Sequence, residues 1–196
     1  DIDSEILTFS AQSENLNVSI ADGVLTVLPP DDYNGSDVVT VTVTDGDLFD
    51  STAFTLTVTP VNDAPSLDAL SDASVDEDNT YTLELSGADV DGDELTFQAS
   101  VDANGSVSID GSLLTVTPSD NFNGAILVSV LASDGQASGS GSFTLTVNAV
   151  NDAPVISDLP DQTIEEDSSL SVDLSASDVD GDVLTFSAEN LSLIHI

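Results

Sequence analysis

The chain has 196 residues, no Lys, no Arg, 37 acidic residues and a formal charge of −37, yet 40% of it is hydrophobic. That apolar content separates it from disordered acidic chains, which lack core formers. With no cationic side chain it cannot grip phosphates, so nucleic acid is excluded as a partner, and anionic membrane surfaces repel it.

In chain order, Asp22-Gly23 marks a hairpin turn. Val39, Val41 and Val43 then alternate with Thr40, Thr42 and Thr44, and Phe54, Leu56 and Val58 with Thr55 and Thr57. Period two with β-branched residues predicts half-buried antiparallel strands. From Val61 the pattern is fuller. A first strand near Ser66–Val75 precedes strands over Thr80–Ser86, Glu94–Ser100, Ser106–Ile109, Leu113–Thr117, Ala125–Ser133 and Ser140–Asn148, with a turn at Asp110-Gly111. Roughly seven short strands in under a hundred residues predict an immunoglobulin-like sandwich, and no segment of useful length has helical period.

The chain also repeats itself. VNDAP occurs at Val61–Pro65 and Val150–Pro154, and DVDGD at Asp89–Asp93 and Asp178–Asp182, each pair 89 residues apart. Glu77-Asp78 and Glu166-Asp167 keep that step, as do Tyr33-Asn34-Gly35 and Phe122-Asn123-Gly124. Such a period implies modules strung in line. The expected fold is therefore all-β, with tandem seven-strand sandwiches in a linear array. Residues 1–60 form a partial repeat lacking its first strands, 61–149 a complete one, and 150–196 one truncated in its third strand. The chain starts at Asp1 in mid-pattern, and we read it as a fragment. Leu191–Ile196 break the pattern; Ser192–Ile196 resemble translated sequencing-adapter read-through, and this tail is expected not to be native.

Strand parity places the carboxylates. In an antiparallel sandwich of strands A to G, the BC and FG loops share one pole and the AB and EF loops the other. Asp89, Asp91, Asp93 and Asp134 thus fall at the pole facing the first repeat, and Glu77, Asp78 and Asp120 at the pole facing the third. Asn151-Asp152 leave that second pole, where Asp178 and Asp180 of the next BC loop meet them. Self-repelling groups of this kind call for a cation, and calcium takes oxygen ligands in flexible geometry. Magnesium demands a stricter octahedron. Zinc is disfavoured, because there is no Cys and the one His is His195 in the doubtful tail. Each motif also has a plainer reading. DVDGD can be a solvated turn, NDAP a linker stiffened by Pro, and Asp120 a turn opener after Pro118.

At these residues the chain resembles the cadherin superfamily, and in particular the bacterial cadherin-like tandem repeats, about 95 residues each, of large surface adhesins. Asn62-Asp63 and Asn151-Asp152 resemble its linker motif; Asp89 with Asp91, and Asp178 with Asp180, its DxD motif. Asp1 with Asp3 stand at the DxD position of the first repeat. Asp45 and Asp134 resemble the Asp before the last strand, and Glu77 and Glu166 the Glu ending the first. The DxE motif is degraded to Asp120-Asn121-Phe122, and to Asp31-Asp32-Tyr33, so fewer calcium ions per junction are expected than the family's full set.

The resemblance implies a calcium-binding structural segment of a secreted or surface-anchored adhesin. Its partners would be neighbouring repeats, with other cell-surface proteins or glycans engaged through further domains, and adhesion, homophilic or not, is implied only by resemblance. A passive acidic spacer and an accessory module of a secreted hydrolase are the alternatives. No catalytic role is expected. There is no Trp for a sugar cleft, no Lys or Arg to hold an anion, and no usable His to serve a Ser nucleophile.

Overall fold

A computed structural model describes residues 7–189, and the regular elements among them are all β-strands. They are β1 (Thr8–Gln12), β2 (Asn17–Ala21), β3 (Val24–Leu28), β4 (Gly35–Thr44), β5 (Phe49–Val58), β6 (Ser66–Leu67), β7 (Ala73–Asp76) and β8 (Tyr81–Glu84). Then follow β9 (Gly87–Ala88), β10 (Thr96–Val101), β11 (Gly105–Asp110), β12 (Leu113–Pro118), β13 (Gly124–Ser133), β14 (Ser138–Asn148), β15 (Val155–Ile156) and β16 (Ala176–Ser177). Two compact units form: Asp1–Asp68 with Ser86–Phe97 and Leu131–Ser140, and Ala69–Leu85 with Gln98–Val130 and Gly141–Ile196.

In the first unit, β4 pairs antiparallel with β1 on one edge and β5 on the other, and β2 with β3 forms a hairpin. Asp22 and Gly23 both take positive φ, 52° and 78°, the type I′ turn whose twist suits flanking strands. Val39 and Leu16 are buried, but Phe9, Val38, Phe49 and Phe54 remain exposed. Position 37, where the step of 89 leads to buried Ile126, holds Asp. Asp37 draws hydrogen bonds from the Ser13 hydroxyl and the Asn15 N–H, each at 2.7 Å, and those two donors head the causes that lower its pKa.

The second unit holds the larger core. One sheet has the order β11-β12-β8; the other, β10-β13-β14-β7, closes with β7 parallel to β14. Leu114 and Val116 of the first sheet, and Ile126, Val128, Phe143, Leu145 and Val147 of the second, are essentially inaccessible. The Tyr81 and Phe143 rings meet across the sandwich with centroids 5.9 Å apart. Each such apolar side chain contributes about 1.5–3 kcal/mol by burial, which is what the alternating pattern supplies.

Three details differ from the sequence expectation. The first strand is two: β6 pairs antiparallel with β9, and after a break at Asp68–Asp72 β7 joins β14. The next strand ends at Glu84, and Gly87-Ala88 form an unanticipated strand, β9. Gly87 is required there, since a Cβ would sit 2.5 Å from the Ser66 carbonyl oxygen. The second hairpin turns at Gly111-Ser112, not Asp110-Gly111: Asp110 already pairs with Leu113, and Gly111 alone takes positive φ, the type II′ pattern. In the last segment β15 and β16 pair as β6 and β9 do, 89 residues earlier.

Candidate functional site

Two acidic clusters form, one in each unit. In the first unit the Asp89 side chain builds a turn. Its Oδ1 accepts the N–H of Asp91 at 2.9 Å and of Asp93 at 3.3 Å, and Gly92 supplies the φ of 83° that the turn needs. Asp89 Oδ2 is buried without a hydrogen-bond partner. Asp91 Oδ2 accepts the Asp63 N–H at 2.8 Å, which ties the VNDAP segment to this loop. Asn62 Nδ2 donates to Asp134 Oδ2 at 2.9 Å, and Gln136 Nε2 to Asn62 Oδ1 at 2.7 Å. Asp134 Oδ1 also accepts the N–H groups of Gln136 and Ala137. The Ala137 N–H, then the Asn62 amide and the Gln136 N–H, hold the Asp134 carboxyl below its usual range. A groove lined in part by Pro30, Asp32, Tyr33, Asp63 and Asp91 runs beside these groups.

In the second unit, Glu77 is 3% exposed. Its N–H donates to the Asn148 carbonyl at 2.9 Å and its carboxylate accepts the Val150 N–H, so β7 is pinned to the start of VNDAP. Asp78, at positive φ, accepts the Asn121 N–H at 2.9 Å. The second DVDGD repeats the first: Asp178 Oδ1 accepts from the N–H groups of Asp180 and Asp182, both at 3.1 Å. Asp180 Oδ2 accepts the Asp152 N–H at 2.7 Å. Half-buried Asp152 has no hydrogen-bond partner for its buried Oδ2. Lost hydration, then repulsion from Asp180, Asp78, Glu77 and Asp178, push its carboxyl pKa up. Four acidic groups thus act on Asp152, and no Lys or Arg exists in the chain to neutralise them.

Of the remaining candidates, Asp45 caps its own loop, accepting the N–H groups of Asp47 and Leu48; the Leu48 N–H contributes most to its lowered pKa. The Asn151 side chain donates to the Asp152 carbonyl at 2.8 Å. Asp120 and Glu166 are exposed, while Asp1 and Asp3 lie outside the described residues. Among the described residues no group of three or more His, Asp or Glu closes into a ready-made metal cage. Sequence reasoning placed Asp78 at this pole without counting it among the ligands. It missed Gln136, for which the 89-residue step gives no signal, because position 47 holds Asp.

Each cluster thus holds one buried carboxylate oxygen without a partner, Asp89 Oδ2 in the first unit and Asp152 Oδ2 in the second, and main-chain N–H groups occupy other carboxylate oxygens of each.

No curated protein matches the chain in sequence. Among solved structures, human protocadherin-24 EC1-2 is similar in fold, with a TM-score of 0.50 at 14% identity over 78% of this chain and 85% of that one. Drosophila N-cadherin EC1-4 gives a TM-score of 0.43 at 18% identity, over 87% of this chain and 51% of that one. An endo-fucoidan hydrolase of glycoside hydrolase family 107 gives 0.35 at 22% identity over 76% of this chain, which spans 24% of that enzyme's length. The bacterial Ig domain profile matches residues 62–148 and 151–194. On that match, and with the sandwich of β7–β14 behind it, the chain belongs to the bacterial Ig domain family.

Proposed function

We propose that the chain is a structural segment of an extracellular or surface-anchored protein, made of one complete repeat (61–149) between partial ones (1–60 and 150–196), whose acidic clusters take up calcium. The observation that carries this reading is Asp152: half-buried, one oxygen unpartnered, its pKa raised first by lost hydration and then by four neighbouring carboxylates. A chain without Lys or Arg must recruit a proton or an external cation to relieve that repulsion. At neutral pH the cation is the better answer, and flexible oxygen coordination favours calcium over magnesium. Asp152, Asp178, Asp180, Glu77 and Asp78 would hold it in the second unit, and Asp63, Asp89 and Asp91, joined by Asn62 and Asp134, in the first. Bound calcium would supply charge neutralisation and crosslink the VNDAP segments to the loops around them. A stiffened array of this kind holds a terminal adhesive or anchoring domain away from the cell. The chain supplies no catalytic group to this role.

A passive acidic spacer is the second reading. It is favoured by the hydrogen bonds that already tie VNDAP to its neighbours: Asp63 to Asp91, Asp152 to Asp180 and Val150 to Glu77. Thermal unfolding in calcium, in magnesium and in chelator separates the two. A melting temperature raised by calcium, and not by magnesium alone, supports the first; equal melting in all three leaves the spacer.

A further inference from the structure

Three Asn-Gly pairs occur in the chain: Asn34-Gly35, Asn104-Gly105 and Asn123-Gly124. All three Asn residues are exposed. An Asn followed by Gly can lose its side-chain amide to attack by the next main-chain nitrogen, because Gly has no Cβ to block the approach. That nitrogen must give up its proton and turn toward the side chain, which a ladder hydrogen bond opposes. Strand pairing therefore decides which of the three reacts.

After Asn34 the nitrogen is already engaged. The Asp45 N–H donates to the Leu48 carbonyl at 3.3 Å, so Thr44–Phe49, the last pair of β4 with β5, is of the non-hydrogen-bonded kind. The two kinds alternate along an antiparallel register. Gly35–Val58 lies an odd number of pairs away, so it exchanges both bonds, and the Gly35 N–H donates to the Val58 carbonyl. Gly124, 89 residues on, has nearly the same φ, 138° against 132°, and opens β13, which has a strand on each side.

At Asn104 the pairing is reversed. The Ser119 N–H donates to the Asn104 carbonyl at 2.9 Å, which makes Gly105–Pro118 a non-hydrogen-bonded pair. The Gly105 N–H therefore points away from β12. β11 ends its sheet, in the order β11-β12-β8, and its outer edge has no strand partner among the described residues. Asn104 itself sits at a φ of 59° in the bend between β10 and β11. We propose that Asn104 is a site of self-modification. The Gly105 nitrogen gives up its proton and bonds to Asn104 Cγ, the Cγ–Nδ2 bond breaks, and ammonia leaves with that proton. Water then opens the succinimide ring. Opening at Cγ leaves aspartate, and opening at the main-chain carbonyl carbon leaves isoaspartate, with the chain routed through Cβ. Either product sets a new carboxylate in the hairpin where Asp102 Oδ1 already accepts the Ala103 and Leu127 N–H groups, at 2.8 and 3.1 Å. The conversion accumulates with time and needs no enzyme.

The test follows heavy oxygen from labelled water into the full chain in mildly alkaline buffer, once folded and once in urea, with peptide mapping by mass spectrometry. In the folded chain Asn104 is expected to take up label about five- to tenfold faster than Asn34 or Asn123, the ratio set by the hydrogen bond that must open first at the other two. In urea the three rates converge. Asn104→Gln, whose longer side chain closes its ring far more slowly, takes up no label at that position on the same timescale. Gly105→Ala is not a usable control, since a Cβ there would sit 2.9 Å from the Thr117 carbonyl oxygen. Equal rates in the folded chain, or a slower rate at Asn104, overturn the proposal. So does a preference for Asn104 that persists in urea, because local sequence and not strand pairing would then set it.

Discussion

The Asp152 main chain donates to the Asp180 carboxylate at 2.7 Å, while the Asp152 carboxylate is repelled by that same group. The backbone contact holds two like charges together in a chain that has no cation of its own. Asp152→Asn therefore has opposite effects in two buffers. In chelator it removes repulsion and raises the melting temperature. In calcium it removes a ligand and lowers it relative to the unsubstituted chain. Calcium at 10 to 100 times its dissociation constant adds about 1.4–2.7 kcal/mol per site, a shift of several degrees for a domain of this size. Calorimetry of both proteins in both buffers checks it; a shift of the same sign in each contradicts the calcium reading.

Glu77 tests the metal-independent part of the same cluster. Its carboxylate accepts the Val150 N–H from a position 3% exposed. Glu77→Ala leaves that N–H without its partner and costs about 1–3 kcal/mol in chelator. Glu77→Gln keeps an acceptor oxygen and costs less. Urea unfolding of the two variants in chelator gives the order.

Phe143 and Phe54 stand 89 residues apart and bury to very different extents, 2% and 43% exposed. Phe143→Ala opens a cavity between the sheets and costs about 3–5 kcal/mol, whereas Phe54→Ala loses less because that ring is already in part hydrated. Denaturation curves for both variants should show this inequality; equal costs would mean that the first unit is packed as tightly as the second.

The carboxyl groups divide by the sign of their pKa shift. Asp37 and Asp134 are held below the ordinary 3.8 by hydrogen bonds, from Ser13 first and Ala137 first respectively. Each adds stability that is present above the unfolded-state value and lost as pH falls through the lower folded value. Asp152 is raised by lost hydration and like charges, so it acts oppositely: in chelator, stability is gained as pH falls through its folded value. Carbon-13 titration of the side-chain carboxyls in chelator should give Asp152 a midpoint above 3.8 and Asp134 one below it.

Much of the sandwich was legible because period-two alternation is a local property. Phe143, Leu145 and Val147 face one side by geometry alone, and all three are buried. The split of the first strand was not legible. Ser66 and Val75 both read as strand, and the break between them arises because β6 and β7 pair with different partners. In the acidic loops, DVDGD announced its turns through Asp and Gly. It did not announce that Asp89 and Asp178 spend one oxygen on their own loop's N–H groups, or that Asp134 accepts three hydrogen bonds.

By itself the sequence determined an all-β chain with a charge that nothing internal can offset, and a register of 89 residues that sets equivalent groups in equivalent loops. Composition and periodicity suffice for that, since they need no knowledge of what lies across a sheet. Tertiary structure alone decided which carboxylates are satisfied and which are not. Asp134 and Asp152 both sit in Asp-containing loops, but main-chain and amide N–H groups surround the first and other carboxylates the second. Hydration, hydrogen bonding and repulsion act through space over a few ångströms, and folding sets those distances between residues as far apart as Glu77 and Val150.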